Sequence, residues 1–282
     1  MTAPLYGSHR ETDEFPMFQR AGLRFLRRMA NAGMATFGGI GARMDFLRQF
    51  FIALSFPRTY MPLIVRQMRS IGVASLPLAA IVAAFIGSVI ALQTRYQLFP
   101  GVQLSVVGLI VRQTLILELG PLLTGLVLTG RVGARMTAEI GTMRVTEQID
   151  ALETLAYNPI AYLVVPRVIA GTIMLPLLVV FADAVGVMMG FFTAIVATEV
   201  TWNQFSEGLR LSFSVFQVFY SLLKATVFGI AISFLCSYEG YTADVGAEGV
   251  GRSTATAVVI TSVVILILDS LTAVMLAPML QG

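Results

Sequence analysis

Apolar residues run along this chain in blocks far longer than a water-soluble core element needs. Val73–Leu92 is twenty residues without a charge, about the length at which an α-helix crosses the hydrocarbon of a bilayer. Four more blocks follow. Leu104–Gly130 is broken only by Arg112 and Glu118, Ile160–Thr198 by Arg167 and Asp183, Leu211–Leu235 by Lys224, and Ser253–Met279 by Asp269. The pattern predicts an all-α, polytopic membrane protein. The third block is ambiguous. As one helix it would be about 58 Å long at 1.5 Å per residue, roughly twice the hydrocarbon thickness. It is either one long helix, tilted or kinked at Pro166 and Pro176, or two short spans turning near Gly186 and Gly190.

Between the blocks the polar positions carry a second pattern. Over Arg43–Phe56, the residues Phe46, Leu47, Phe50, Phe51 and Leu54 share one helical face, with Arg43, Asp45, Arg48 and Gln49 elsewhere. A basic amphipathic helix beside a span predicts an interfacial helix over 43–57, which Pro57 ends. Residues 1–42 form a basic extension ahead of it. After the second block, Gly141 loosens the helix leaving the membrane and Thr142 can cap a new one. Val145, Ile149, Leu152 and Ala156 then form a stripe, with Arg144, Glu147, Gln148, Asp150 and Glu153 on the other faces, and Asn158-Pro159 stops the helix. The expectation is an amphipathic helix over about 139–156. Its stripe packs on the membrane domain, and its charged face is either simply solvated or free to meet a partner.

Composition strengthens the membrane reading. Only 12% of the 282 residues are charged, against about a quarter in a soluble domain. The net charge of +3 conceals an asymmetry, because residues 1–69 hold ten of the nineteen basic residues and four acids. Arg131, Arg135 and Arg144 follow the second block, whereas the segment between the first two has Arg95 alone. This alternation puts the N-terminus and residues 131–159 in the cytoplasm, and the arm is read as an orientation signal, with no nucleic-acid partner. A single cysteine, Cys236, and a single histidine, His9, leave no internal disulfide and no cysteine or histidine metal site. The one lysine, Lys224, sits in an apolar span, so the chain lacks the Gly-x-x-x-x-Gly-Lys-Ser/Thr loop that cradles nucleotide phosphates. Energy must come from another subunit or an ion gradient.

One stretch is specific enough to name a family. Glu118-Leu119-Gly120-Pro121, Gly130-Arg131-Val132-Gly133-Ala134 and the long run Ala138-Glu139-Ile140-Gly141-Thr142-Met143-Arg144-Val145-Thr146-Glu147-Gln148-Ile149-Asp150-Ala151-Leu152-Glu153 strongly resemble the MlaE family, permease subunits of bacterial ABC transporters that move phospholipids. The likeness continues at Asn158-Pro159, Val164-Val165-Pro166-Arg167, Gly240-Tyr241 and Ala247-Glu248-Gly249-Val250-Gly251-Arg252. It covers roughly 45–280 and leaves residues 1–40 outside. The resemblance implies five transmembrane helices in the inner membrane, with 160–198 as one of them. It implies a homodimer, two ATPase subunits that bind the ATP and Mg, a periplasmic ring of MCE-domain protein and, in some members, a small STAS-domain subunit. It also implies that 139–153 is the coupling helix, with Glu139, Thr142, Arg144, Glu147, Gln148, Asp150 and Glu153 facing the ATPase. Where many relatives have arginine before the Glu-Leu-Gly-Pro motif this chain has Leu117, leaving Arg95 or Arg112 for that headgroup contact.

Ionisable groups at membrane depth are costly and default to functional candidates. Gln93, Arg95 and Tyr96 at the outer end of the first span, and Glu118 in the second, are the lipid-cavity candidates; anchoring and helix packing are the plainer roles. Asp183, Lys224 and Asp269 each stand alone in an apolar helix, so pairing with Lys224 or an ion relay would account for them. No residue is read as catalytic. Ser221 with Lys224 imitates a serine–lysine dyad and Asp183 with Asp269 an aspartyl pair, but neither has a supporting motif. A secondary carrier would need inverted repeats, which the chain lacks.

Overall fold

A computed structural model describes residues 41–55 and 57–280. The chain divides into two units between residues 49 and 50. In the first, residues 41–49 are helical and the Gln49 amide donates to Asp45 at 2.8 Å. The basic extension falls almost wholly outside the described residues. Helix α1 covers residues 41–53. The rest are α2 (Pro57–Ile71), α3 (Leu76–Gln97), α4 (Ser105–Val145), α5 (Gln148–Thr154), α6 (Ile160–Ala197), α7 (Trp202–Arg210), α8 (Val215–Tyr241) and α9 (Ala247–Leu280). Five segments, the α2–α3 pair from Tyr60 and helices α4, α6, α8 and α9, are long and apolar enough to cross a membrane.

The packing is of the kind that works without a hydrophobic force between helices. Along α3, Ala79, Ala83, Gly87 and Ala91 recur every fourth residue and are buried; along α6, so do Ala182, Gly186, Gly190 and Ala194. Small residues in such rows let helix backbones touch. A Cβ on Gly87 would stand 1.9 Å from the Gly186 carbonyl oxygen, so only glycine fits there. Larger side chains fill a second core: Leu175 and Leu178 of α6 meet Phe228 and Ile232 of α8 and Ile265 of α9. Outward faces are apolar too. Phe85 is 70% exposed and Phe192 58%, a surface suited to lipid.

The third apolar block is a single helix. Gly186 and Gly190 do not turn the chain; they seat it against α3. Helix α4 is likewise one piece of 41 residues, carrying π-helical turns at Leu115–Leu119 and Thr129–Gly133.

The expected amphipathic helix over 139–156 needs correction. Helix α4 continues through Gly141 and Thr142 to Val145. Gly141 is buried beneath Val250 and Ala243, so its missing side chain admits a neighbouring segment and loosens nothing. The Thr142 hydroxyl donates to the Ala138 carbonyl within the same helix, at 2.7 Å, and caps no new one. The break comes at Glu147, with φ +58°, and α5 occupies only Gln148–Thr154. Ile149 is fully buried, as the stripe required, but Ala156 is exposed, lies beyond the helix and has φ +60°. Two helices arise where no apolar block predicts them. The helix expected over 43–57 stops at residue 53, and Pro57 does not end it but starts α2, where its missing N–H is harmless. Helix α7 begins with a full capping box, Thr201 accepting from the Gln204 amide N–H and Gln204 accepting from that of Thr201.

Candidate functional site

The most charged place inside the helical bundle centres on Lys224, whose side chain is 0% exposed. Its Nζ lies 2.7 Å from Glu118 Oε2 and 2.6 Å from Asp269 Oδ1, donates to the Leu117 carbonyl at 3.3 Å and sits 5.0 Å from the Tyr220 ring centroid. Three transmembrane helices, α4, α8 and α9, thus meet on one ammonium. Leu117 and Glu118 lie in the first π-helical turn of α4, a distortion that frequently marks functional sites. The Asp269 side chain is 15% exposed, that of Glu118 46%. A half-exposed carboxylate at membrane depth cannot face lipid tails without a large penalty, so its open side belongs to water or protein.

The isolated charges therefore sort themselves unequally. Glu118, Lys224 and Asp269 come together. Asp183 does not join them; it packs beside Gly120. Arg112 reaches away from Glu118 to donate to the carbonyls of Leu211 at 2.9 Å and Ser212 at 3.4 Å, with Phe213 5.3 Å from its guanidinium carbon. Gln93 and Tyr96 are exposed near the end of α3. Arg95 meets Glu199 at 3.5 Å, so the α3 candidates form no common site with Glu118. The enzyme-like pairs dissolve. The Lys224 amine is held by two carboxylates, and Asp183 and Asp269 have different neighbours. Among the described residues no group of three or more His, Cys, Asp or Glu could hold a metal ion.

At the arginine-rich end, the turn between α4 and α5 is charged and open. Thr142, Arg144, Glu147, Gln148, Asp150 and Glu153 are all exposed. Arg144 donates to Asp150 at 2.8 Å and so ties the last turn of α4 to α5. Glu139 differs from the others expected at this surface. It is half-buried, accepting from Arg135 at 2.7 Å and from Arg167 at 3.3 Å, and Arg167 also holds the Leu163 carbonyl at 2.6 Å. Its carboxylate binds α4 to α6.

Comparison with known proteins points to one family. The family model "Permease MlaE" matches residues 64–275. A probable ABC transporter permease protein of Rickettsia prowazekii is 45% identical over 222 residues, 77% of this chain and 85% of its own length. One from Synechocystis is 40% identical over 195 residues, 69% of this chain and 74% of its own length. The intermembrane phospholipid transport system permease protein of Haemophilus influenzae is 32% identical over 256 residues, 89% of this chain and 93% of its own length.

Proposed function

The chain belongs to the MlaE permease family, and from that premise we propose that it is the membrane subunit of an ABC transporter moving phospholipid between the inner membrane and a periplasmic MCE-domain partner. The motor is a separate ATPase, which binds the ATP and Mg. The N-terminus and the α4–α5 turn lie on the cytoplasmic side, as the arginine distribution favours. The assembly is a homodimer with two ATPase subunits, joined in some versions by a STAS-domain subunit.

The observation that carries this reading is the open α4–α5 turn. It offers a partner Arg144, Glu147, Gln148, Asp150 and Glu153, all exposed, at the end of a helix 41 residues long. Thr142 and Glu139 stand one and two turns further back on that helix. Thr142 is open to contact, while Glu139 passes any displacement to α6 through Arg167. The half-exposed Glu118 supports a cavity at a dimer interface, since its open face must be shielded from lipid. Gln93, Arg95 and Tyr96 would then line the outer approach.

Co-expression with an ATPase encoded alongside it tests the reading. The ATPase should co-purify with the chain. Glu147→Lys combined with Asp150→Lys should leave the chain folded, because both side chains are exposed, yet uncouple ATP hydrolysis from lipid transport. Normal binding and coupling in that double variant would show that this turn is not the contact.

A further inference from the structure

A cavity of about 360 Å³ lies between α4, α6 and α8, roofed by Leu209 of α7 and Phe213. Its size falls within the roughly 300–1,000 Å³ of small-ligand sites. The walls are apolar, with Ile116, Val187 and Leu222 among them, and two charged residues interrupt them. Arg112 is only 3% exposed. Its Nη2 is committed to the Leu211 and Ser212 carbonyls, while Nε and Nη1 are buried without a partner. Asp183 lines the same cavity from α6, and its Oδ1 is also buried without a partner. That oxygen has room only because residue 120 is glycine: a Cβ there would stand 1.9 Å from it. Arg112 and Asp183 thus bring to the wall of one largely apolar cavity a guanidinium with two unpaired donors and a carboxylate with an unpaired acceptor, charges that the chain's own hydrogen bonds satisfy only in part.

Together they are complementary to a zwitterion. A guanidinium presents donors in the fork that phosphate oxygens match, and a carboxylate takes an ammonium that can donate hydrogen bonds. We propose that this cavity binds a zwitterionic, primary-amine phospholipid. The phosphodiester meets the Arg112 guanidinium, the ammonium meets the Asp183 carboxylate, and an acyl chain leaves along Ile116, Val187 and Leu222. A purely anionic headgroup would meet Asp183 with like charge. A trimethylammonium has no N–H for a carboxylate and is recognised by aromatic cages; the one aromatic ring in the wall, Phe213, already lies against Arg112. The cavity is separate from the Glu118–Lys224–Asp269 cluster but adjoins it, because Ser221, one turn before Lys224 on α8, lines it. The inference rests on the phospholipid reading above, and on that orientation it places a second lipid position in the outer-leaflet half of the membrane.

The test uses the full chain, delipidated in detergent and given equal amounts of phosphatidylethanolamine, phosphatidylcholine and phosphatidylglycerol with identical acyl chains; retained lipid is counted by native mass spectrometry. Phosphatidylethanolamine should be retained preferentially, and millimolar inorganic phosphate should not displace it. Arg112→Gln should weaken retention of all three lipids about tenfold, the effect of losing one charge-assisted contact. Asp183→Asn should keep the phosphate contact and abolish the preference for the primary amine. Because Arg112 also anchors the α7–α8 loop, Ala184→Phe serves as a second variant: it fills the cavity from an exposed wall position and leaves both charges in place. It too should lower phosphatidylethanolamine retention. Wild-type ratios in Asp183→Asn, undiminished retention in Ala184→Phe, or displacement by phosphate would each overturn the proposal while leaving the permease reading standing. Failure of an ATPase to co-purify would sink the permease reading without moving these lipid ratios.

Discussion

Removing the ammonium at the meeting point of α4, α8 and α9 should destabilise the protein more than removing either carboxylate that faces it. In Lys224→Met two ion pairs disappear, 2.7 Å to Glu118 and 2.6 Å to Asp269, with the 3.3 Å bond to the Leu117 carbonyl. At an effective dielectric constant of about 20, each pair represents roughly 6 kcal/mol of gross attraction. Desolvating a fully buried ammonium cancels most of that, so the loss is not the sum. What decides it is what stays behind: two carboxylates, that of Asp269 only 15% exposed, without a counter-charge. Breaking a buried pair from one side costs about 3–5 kcal/mol. At about 2–4 °C per kcal/mol, that is a fall of roughly 6–20 °C in Tm. Asp269→Asn leaves the Glu118–Lys224 pair intact and should lose less. Glu118→Gln, at a side chain 46% exposed, should lose least. Lys224→Met with Asp269→Leu should recover most of the loss, since an apolar pair can replace a buried ionic one at little cost. Thermal unfolding in detergent, followed by the helical circular dichroism signal, ranks the four variants. If Asp269→Asn falls as far as Lys224→Met, or the double variant is worse than either single, the cluster is not the compensated unit described.

Three further perturbations test the frame around it. Gly87→Leu drives a side chain into the Gly186 carbonyl and should lose at least the upper end of the about 1–3 kcal/mol typical of overpacking; Gly130→Ala, whose Cβ would meet nothing within 4 Å, should be neutral or gain up to about 1 kcal/mol in the same unfolding assay. Thr201→Ala removes one half of the α7 capping box, worth about 1 kcal/mol, so amide exchange at Gln204 should quicken about fivefold while that of α8 is unchanged.

How much of this was legible in the sequence depended on whether one helix or two had to be known. Each span announced itself, because a helix in lipid satisfies its backbone internally and needs only a run of apolar side chains. The single long α6 was open until its glycines had a partner: Gly186 and Gly190 read equally well as a turn, and only the matching small residues of α3 make them a packing row. The charged cluster was half legible. Glu118, Lys224 and Asp269 stood out as misplaced charges, but so did Asp183, and nothing in the chain order says which acid meets the lysine. Register decides it: Asp183 comes to lie against Gly120 of α4, whereas α9 carries Asp269 to Lys224. Gly141-Thr142 looked like a helix stop and restart for the same reason, since a glycine that admits Val250 is locally identical to one that ends a helix. The α7 signal was present throughout, in Thr201 with Gln204 and in Trp202, Phe205 and Leu209 on one face, within a gap too short for a span.

Helix α4 joins every feature argued to matter, and its form bears on how a distant motor could act. Forty-one residues make about 60 Å of helix, with Arg112 and its cavity near one end, Glu118 about a third of the way along and Arg144 at the other end. A regular α-helix would carry a displacement of the α4–α5 turn along its whole length unaltered. This one has two π-helical turns, at Leu115–Leu119 and Thr129–Gly133, where the hydrogen-bond ladder re-registers and bending is easiest. The first contains Glu118, whose carboxylate is bound to α8 through Lys224 and thereby to α9. Any motion of the Val145 end of α4 is therefore resisted by ion pairs where its backbone can yield. The Arg135–Glu139–Arg167 link draws α6 into the same movement near the Val145 end, while at Gly120 the Asp183 carboxylate of α6 abuts α4 two residues beyond Glu118. A push on the turn can thus change the distance between Glu118 and Lys224 and the shape of the Arg112–Asp183 cavity together, because one helix forms a wall of both.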